Sequence, residues 1–371
     1  MSVRILADDL SGALDTAVMF AGEGGATVTW GPVVGRDSLA HCLNTRALQE
    51  KAAAKAMAKA APWLADGHIA FKKCDSRLRG HVAAELAAMI AATPIRRVVV
   101  APSYPAQGRF VVDGRVVTHS ARGCVHEPVD LLTDLAAAGV KAHRARPGAP
   151  LADGVTLADA RTDSDLDQIV AAGLSMDGPI LWCGAAGLAA ALARRLGTPA
   201  PRPARPKGPC LVAIGTNHPA TQHQVSALRA ATHLSRPLSI VSAPEAGDGG
   251  SPSYQGVGKD LQGGKHVLVI LSPTKPSPPE AARAMVRERI ARLATLAPPP
   301  PALVVTGGAT LRTLVDAVHA SAIALHGVFD DGVPVGRIVG GRWNGTTLVS
   351  KSGGFGNADL LVSVLNAADR F

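Results

Sequence analysis

The chain has 371 residues, enough for two domains of ordinary size; 47% of them are hydrophobic but only 3% aromatic, so the cores must be built from Ala, Val, Leu and Ile. A formal net charge of +9 favours anionic partners, yet the scattered Lys and Arg and the scarcity of stacking surfaces argue against a nucleic-acid partner. Five cysteines without a CxxC pair exclude a disulfide framework and a zinc ribbon and fit a reducing compartment.

Taken in order, residues 3–7 read as a strand that stops at Asp8 and Asp9, and Ser11-Gly12 then leads into an Ala- and Leu-rich helix over 13–21. At the carboxyl end of a strand in an open sheet, two such carboxylates can serve as base, hydroxyl-binder or metal ligand. They can equally stabilise the positive end of a helix. Further strands are predicted at 69–72, 97–101 and 179–183, with helices at 49–60, 82–91, 164–172 and 186–195; residues 120–158 show no clear pattern. Residues 198–209, TPAPRPARPKGP, contain five prolines and read as a semi-rigid linker. After it, strands at 210–214, 266–271, 302–305 and 346–351 alternate with helices at 221–231 and 280–296. The predicted class is α/β: two domains, 1–197 and 210–371, each with a mostly parallel sheet flanked by helices. Asp8 and Asp9 come too early for a signal-peptide core, and the run 178–193 is shorter than the ~20 residues of a membrane span. A soluble, cytoplasmic protein with no membrane partner is expected.

Three constellations can carry chemistry. In FKKCDSRLRG, Lys72, Lys73, Arg77 and Arg79 surround Asp75 and Ser76, which places cations for an anion beside a carboxylate for a hydroxyl. The same residues also make an ordinary solvated turn with Asp75 as a cap. Thr306-Gly307-Gly308 and Ser352-Gly353-Gly354-Phe355-Gly356 each follow a strand and open toward a helix, where backbone N–H groups and the helix field suit phosphate. Neither is a GxxxxGK[ST] or GxGxxG motif, which disfavours a P-loop NTPase and a dinucleotide-binding dehydrogenase. Gly215 to Gln224, GTNHPATQHQ, again sits at a strand end, where Thr216, Asn217 and His218 can meet a nucleotide. His218 and His223 have no metal-binding spacing, and no GxSxG elbow occurs, so neither a metal centre nor a serine nucleophile is expected.

Together these stretches resemble the four-carbon acid sugar kinase family, which includes kinases for 3-oxo-tetronate, threonate and erythronate. The matching pieces, in the family's order, are ILADDLSGALDTA, KKCDSRLRG, APSYPAQGR, DARTDSDL, CGAAGLAAALA, GTNHPATQHQV, VVTGGAT and SKSGGFGNAD, and they span nearly the whole chain. The resemblance implies an N-terminal sugar-acid domain, a C-terminal ATP domain, and ATP-dependent phosphorylation of an acid hydroxyl with ATP and Mg2+. Residue by residue, it implies Asp9, Asp8 or Asp75 as catalytic, with Asp8, Asp9, Arg46 of NTRAL, Lys73, Asp75 and Ser76 on the acid. The nucleotide falls to Thr216 or His218, to Gly307, Gly308 and Thr310, and to Gly353 and Gly354; no residue is assigned to a metal, and a homo-oligomer is compatible with the pattern. The chain departs from the family at Ala309, where TGGDT has its acid, at GTNHP in place of GSxSP, at Arg77 in place of Thr in DSTLRG, and in a shorter segment after Gly108. The alternatives are a kinase of another small anionic polyol or hydroxy acid, and a sugar-acid-binding protein that has lost catalysis.

Overall fold

The computed structural model describes residues 2–31, 38–120, 123–242, 254–273 and 275–369. The chain divides into two compact units, residues 1–201 and 202–371. The division falls inside the Pro-rich segment, and the later part of that segment packs on unit 2: Ala204 N donates to Val328 O at 2.7 Å and Gly208 N to Ala368 O at 3.1 Å.

Unit 1 runs β1 (Val3–Ala7), α1 (Leu10–Ala17), β2 (Ala26–Trp30), β3 (Ala40–Cys42), α2 (Glu50–Ala65), β4 (Ile69–Lys73), α3 (Val82–Ala92) and β5 (Arg97–Ala101). It continues with β6 (Arg109–Val112), β7 (Arg115–Ser120), β8 (Gly123–His126), α4 (Leu131–Ala137), β9 (Ala142–Ala145), β10 (Val155–Ala158), α5 (Asp163–Leu174), β11 (Ile180–Gly184) and α6 (Ala186–Arg195). Strands β2-β3-β1-β4-β11-β5-β10-β9 form a wholly parallel sheet in that order. Their apolar, buried runs are what a sheet covered on both faces requires. One layer joins α2, α3 and α4, another α1, α6 and α5, and Ala-rich surfaces let these helices lie close. The chain leaves β1 for β2 and β3 on one side, then crosses to β4 on the other. That reversal makes β1 a topological switch point, where open α/β sheets bind ligands. Ala7 is in register with both Cys42 and Lys73, so Asp8, Leu43 and Cys74 leave the sheet side by side. A small antiparallel sheet, β6-β7-β8, is tied to the end of β10 through Asp159, which accepts from Asp113 N and Gly114 N.

Unit 2 contains β12 (Cys210–Ile214), α7 (Pro219–Ala230), β13 (Leu238–Ser242), α8 (Gln255–Gln262), β14 (His266–Ile270), α9 (Pro279–Leu296), β15 (Ala302–Thr306), α10 (Gly308–Ala317), β16 (Ala322–Asp330), β17 (Val333–Val339), β18 (Thr347–Lys351) and α11 (Leu360–Ala367). Its strands are ordered β13-β14-β12-β15-β18-β17-β16; the first five are parallel and the last two antiparallel. Ile214 pairs with Thr306 and Thr306 with Lys351, so the turns after β12, β15 and β18 emerge together. Among the described residues no helix is long and apolar enough to cross a membrane.

The first helix begins at Leu10, not at 13, because the Asp9 side chain caps it by accepting from Gly12 N. The unpatterned region holds β8, α4, β9 and β10: β8, α4 and β9 are short and largely exposed and β10 is four residues of fully buried strand, so none shows a hydrophobic period; residues 121 and 122 lie outside the described residues. The hairpin β16–β17 is absent from the predicted elements because two register shifts, at Leu325/Gly327 and Val328/Asp330, break the strand alternation.

Candidate active site

In unit 1 the loops after β1, β3 and β4 bring Asp8, Asp9, Arg46, Lys73 and Asp75 together. Arg46 grips Asp8 with a fork, Nη2 to Oδ1 at 2.8 Å and Nε to Oδ2 at 3.1 Å. The same Nη2 reaches Asp9 Oδ1 at 3.1 Å, and Nη1 stands 3.3 Å from Asp75 Oδ2. Asp75 also receives Arg79, Nη2 to Oδ2 at 2.6 Å and Nε to Oδ1 at 2.9 Å, and the backbone N–H of Arg77 at 3.0 Å. This tight loop places Leu78 at a left-handed φ of 57°, a conformation that costs a leucine of order 1–3 kcal/mol. Ser76 sits half-buried in the same turn.

Asp9 is the helix cap that the sequence offered, and it also faces the cations of the cluster. It caps α1 through Gly12 N at 2.9 Å, accepts from Ser11 Oγ at 2.8 Å, and faces the cationic cluster. Gly12 is what allows the approach: a Cβ there would stand 2.6 Å from Asp9 Oδ1 and 2.7 Å from Lys73 Nζ. Lys73 is buried and donates to Cys74 O at 2.8 Å.

Environment separates the carboxylates. Burial raises the Asp8 pKa more than the Arg46 cation lowers it, so Asp8 lies above the usual range. Burial also acts on Asp9 and Asp75, but there it is outweighed: by Arg46, Lys73 and the Ser11 hydroxyl for Asp9, and by Arg79 and Arg46 for Asp75. Both stay ionised well into acid. Burial would lower Lys73, but Asp15, Asp8 and Asp9 more than restore it. Asp15, on α1, was not among the expected site residues. Burial pushes it to about 6 against the pull of Lys73. Its position in the ADDLSGALDTA motif was the available signal.

In unit 2, Thr216, His218, Gly307, Gly308, Thr310, Gly353 and Gly354 also come together. Gly307, at φ 90°, precedes α10, and its N–H donates to Lys351 O at 2.8 Å. A Cβ on Gly215 would collide with the Thr310 hydroxyl, and one on Gly353 would meet Thr216 Cγ2 at 3.3 Å. His218 caps α7: its Nδ1 accepts from Ala220 N at 3.2 Å, which leaves Nε2 to carry the proton, 3.1 Å from where a Gly354 Cβ would be. The N-termini of α7 and α10 thus converge on turns bare of side chains, an arrangement suited to phosphate. Residues 215–219, 307–310 and 352–358 contain no carboxylate. Among the described residues no three His, Cys, Asp or Glu side chains cluster as a metal cage.

Residues 3–130 match the family described as a sugar-binding N-terminal domain, and residues 211–361 the nucleotide-binding C-terminal domain. A D-threonate kinase of Cupriavidus necator is 30% identical over 90% of this chain and 90% of its own. The chain belongs to the four-carbon acid sugar kinase family. Two further relatives of this kinase-family chain are a Bordetella bronchiseptica D-threonate kinase, 30% identical over 98% of this chain and 97% of its own, and a Methylobacterium radiotolerans 3-oxo-tetronate kinase, 28% identical over 99% of each. A solved Salmonella typhimurium structure described as a putative tRNA synthase shares the fold, with TM-score 0.72 and 18% identity over 98% of both chains.

A surface depression of about 980 Å³ is lined by Pro203, Arg205, Lys207, Arg236 and Asp369, next to the residues before β12 and after α11. It is distant in the fold from the turns that follow β12, β15 and β18. Its one acid, Asp369, is held by Arg236 at 2.6 Å.

Proposed function

We propose that the chain is an ATP-dependent kinase of a four-carbon sugar acid, with unit 1 as the acid's domain and unit 2 as the nucleotide's. The observation that carries this reading is the meeting of Asp9, Lys73, Arg46 and Asp75 at the β1 switch point. A small hydroxy acid needs a cation for its carboxylate and an acceptor for its hydroxyl, and few other handles exist.

Lys73 supplies the cation. Arg46 spends most of its donors on Asp8, Asp9 and Asp75, so its part is to fix the carboxylates at least as much as to hold the acid. Asp9 is the acceptor best placed for the hydroxyl, since its side chain is 13% exposed against 2% for Asp8 and 8% for Asp75. The hydroxyl oxygen attacks the γ-phosphorus, the bond to the β-γ bridging oxygen breaks, ADP leaves, and the hydroxyl proton passes to the Asp9 carboxylate. Such a transfer asks chiefly for alignment and charge stabilisation, so a weakly basic Asp9 is adequate.

In unit 2, the N–H groups at the starts of α7 and α10 and the turn at Gly353-Gly354 receive the phosphates. Protein-bound Mg2+ normally rests on one or two carboxylates besides phosphate, and these three turns supply none. Magnesium therefore arrives with the nucleotide, as MgATP.

The test is ADP release by the full-length protein with D-threonate, D-erythronate and 3-oxo-tetronate, beside glycerate as a three-carbon control. D-threonate is the first acid to try because the relatives at 30% identity are D-threonate kinases. Turnover confined to four-carbon acids is expected. Thermal shifts with the acids but no ADP release would instead favour a binding protein, the outcome toward which Ala309 in TGGAT points.

A further inference from the structure

Among the described residues three lysines are almost wholly buried at strand ends, Lys72, Lys73 and Lys351, and the surroundings of Lys351 are unlike those of the other two. Lys72, at the end of β4, is paired with Glu85 at 2.7 Å. Lys351, the last residue of β18, is 2% exposed and has no carboxylate within 4 Å among the described residues. Its Nζ donates to Thr221 Oγ1 at 3.4 Å, and Thr221 Oγ1 donates to Gly353 O at 2.7 Å. An ammonium carries three donors, so most of its hydrogen-bonding capacity and all of its charge are unmatched. Burying a charge without a counter-charge is costly, and a bound anion would relieve that cost.

The neighbouring elements identify that partner. Thr221 lies in the first turn of α7, Gly353 begins the glycine turn, and Thr306 pairs with Lys351 across the sheet just before Gly307 and the start of α10. α7 and β18 contain no acid, and the one acid of α10, Asp316, lies two turns beyond its start and accepts from Arg312 Nε at 2.8 Å; the titratable side chains nearest are His218, over Gly354, and His223, exposed on α7. Hydroxyls, amides and one cation converge here, a set that suits a polyphosphate.

We propose that Lys351 is a positioning residue for nucleotide phosphate: through Thr221 it holds the Gly353-Gly354 turn in its receptive form, and its charge is compensated when phosphate occupies that turn. This rests on the assignment of the nucleotide to unit 2. Burial alone pushes the Lys351 pKa down to about 8, so an arriving phosphate should raise it again. Binding at pH 8.5 should then take up protons.

The experiment is calorimetric titration of the full-length protein with MgADP at pH 8.5 in two buffers of different ionisation enthalpy. The wild type should take up a large fraction of one proton per nucleotide bound. Lys351→Met should bind at least about tenfold more weakly, take up none, leave KM for the acid unchanged, and melt higher than wild type without nucleotide because an unpaired buried charge is gone. His218→Gln should retain the uptake. Thr221→Val, which breaks the relay but keeps the charge, should weaken MgADP while preserving uptake, and it serves as the second variant if Lys351→Met does not fold. No MgADP binding by wild type would remove the nucleotide assignment itself. Wild-type binding with unaltered affinity or uptake in Lys351→Met, or uptake lost in His218→Gln instead, would overturn the role of Lys351 alone.

Discussion

The two units set their candidate sites at the same kind of place, the carboxyl ends of adjacent parallel strands, and furnish them in opposite ways. In unit 1 a single guanidinium, Arg46, touches three carboxylates, and Arg79 doubles the hold on Asp75. In unit 2 the turns offer amides, hydroxyls and an imidazole, with one unpaired lysine beneath them. A site made of mutually neutralising charges is rigid before its ligand arrives, but removing any member strands the others. A site made of backbone tolerates side-chain loss and is sensitive to added bulk. Unit 1 should therefore break on charge deletion, and unit 2 on a Cβ added where it meets fixed atoms, as at Gly215 against the Thr310 hydroxyl, more than where there is room to give, as at Gly353.

The largest effect should come from Arg46→Met. Asp8, Asp9 and Asp75 would lose their shared cation, and breaking a buried pair from one side costs roughly 3–5 kcal/mol. Melting temperature should fall by many degrees, and phosphorylation should fall with it. A variant that melts and turns over like wild type would mean that the network does not organise the site.

Next in size is Asp9→Asn. Asparagine still caps a helix, so α1 should survive with little change in melting temperature. Turnover should drop by roughly 10²- to 10⁴-fold, toward the lower end because a loose phosphoryl-transfer transition state asks less of a base. Single-turnover rates decide the matter: a full rate with a lowered melting temperature would make Asp9 a cap and nothing more.

The place of Asp9 shows what the sequence made legible. Strand, acid pair and helix could be read in ILADDLSGALDTA; the capping reading is realised at Gly12 N, and the contact with Arg46 puts the same carboxylate in the cluster where the proposed chemistry would act. The Gly-rich turns were equally visible, since parallel strands of similar length must release them at one edge. The pairing of Arg46 with Asp8 was hidden, because it depends on β3 lying beside β1 across 38 residues of chain. Lys351 and Asp15 were hidden for another reason. Each is an unremarkable residue type inside a motif, and only burial makes its charge significant.

Two alanine substitutions compare the sites directly. Gly12→Ala would press a Cβ within 2.6 Å of Asp9 Oδ1 and 2.7 Å of Lys73 Nζ, and both must move. KM for the acid should rise tenfold or more, of the order expected for a displaced charge-assisted contact, while KM for ATP stays near wild type. Gly353→Ala brings its Cβ only to 3.3 Å from Thr216 Cγ2, so a few tenths of an ångström of give should suffice. A rise of a few-fold in KM for ATP, with the acid unaffected, is the expected mirror image. Equal shifts in both constants for either variant would collapse the distinction between the sites.

The smallest effect is a pH slope confined to unit 1. Asp15 is raised by burial from 3.8 to about 6, so the folded state prefers its neutral form. The associated stability is fully present below pH 3.8 and is lost as pH rises through about 6, because above that the folded protein must bear an ionised, poorly solvated carboxyl. Asp15→Asn lacks this slope. Its melting temperature should exceed that of wild type by a few degrees at pH 7.5, and the gap should shrink steadily as pH falls toward 4. Lys73 opposes part of the cost through its attraction to the ionised form, so Asp15→Asn combined with Lys73→Met should show a larger gap over Lys73→Met alone at pH 7.5. Melting curves of the four proteins at pH 4.5, 6 and 7.5 measure this. A gap that is constant across pH would mean that Asn stabilises by packing, and that Asp15 carries no linked proton into the site.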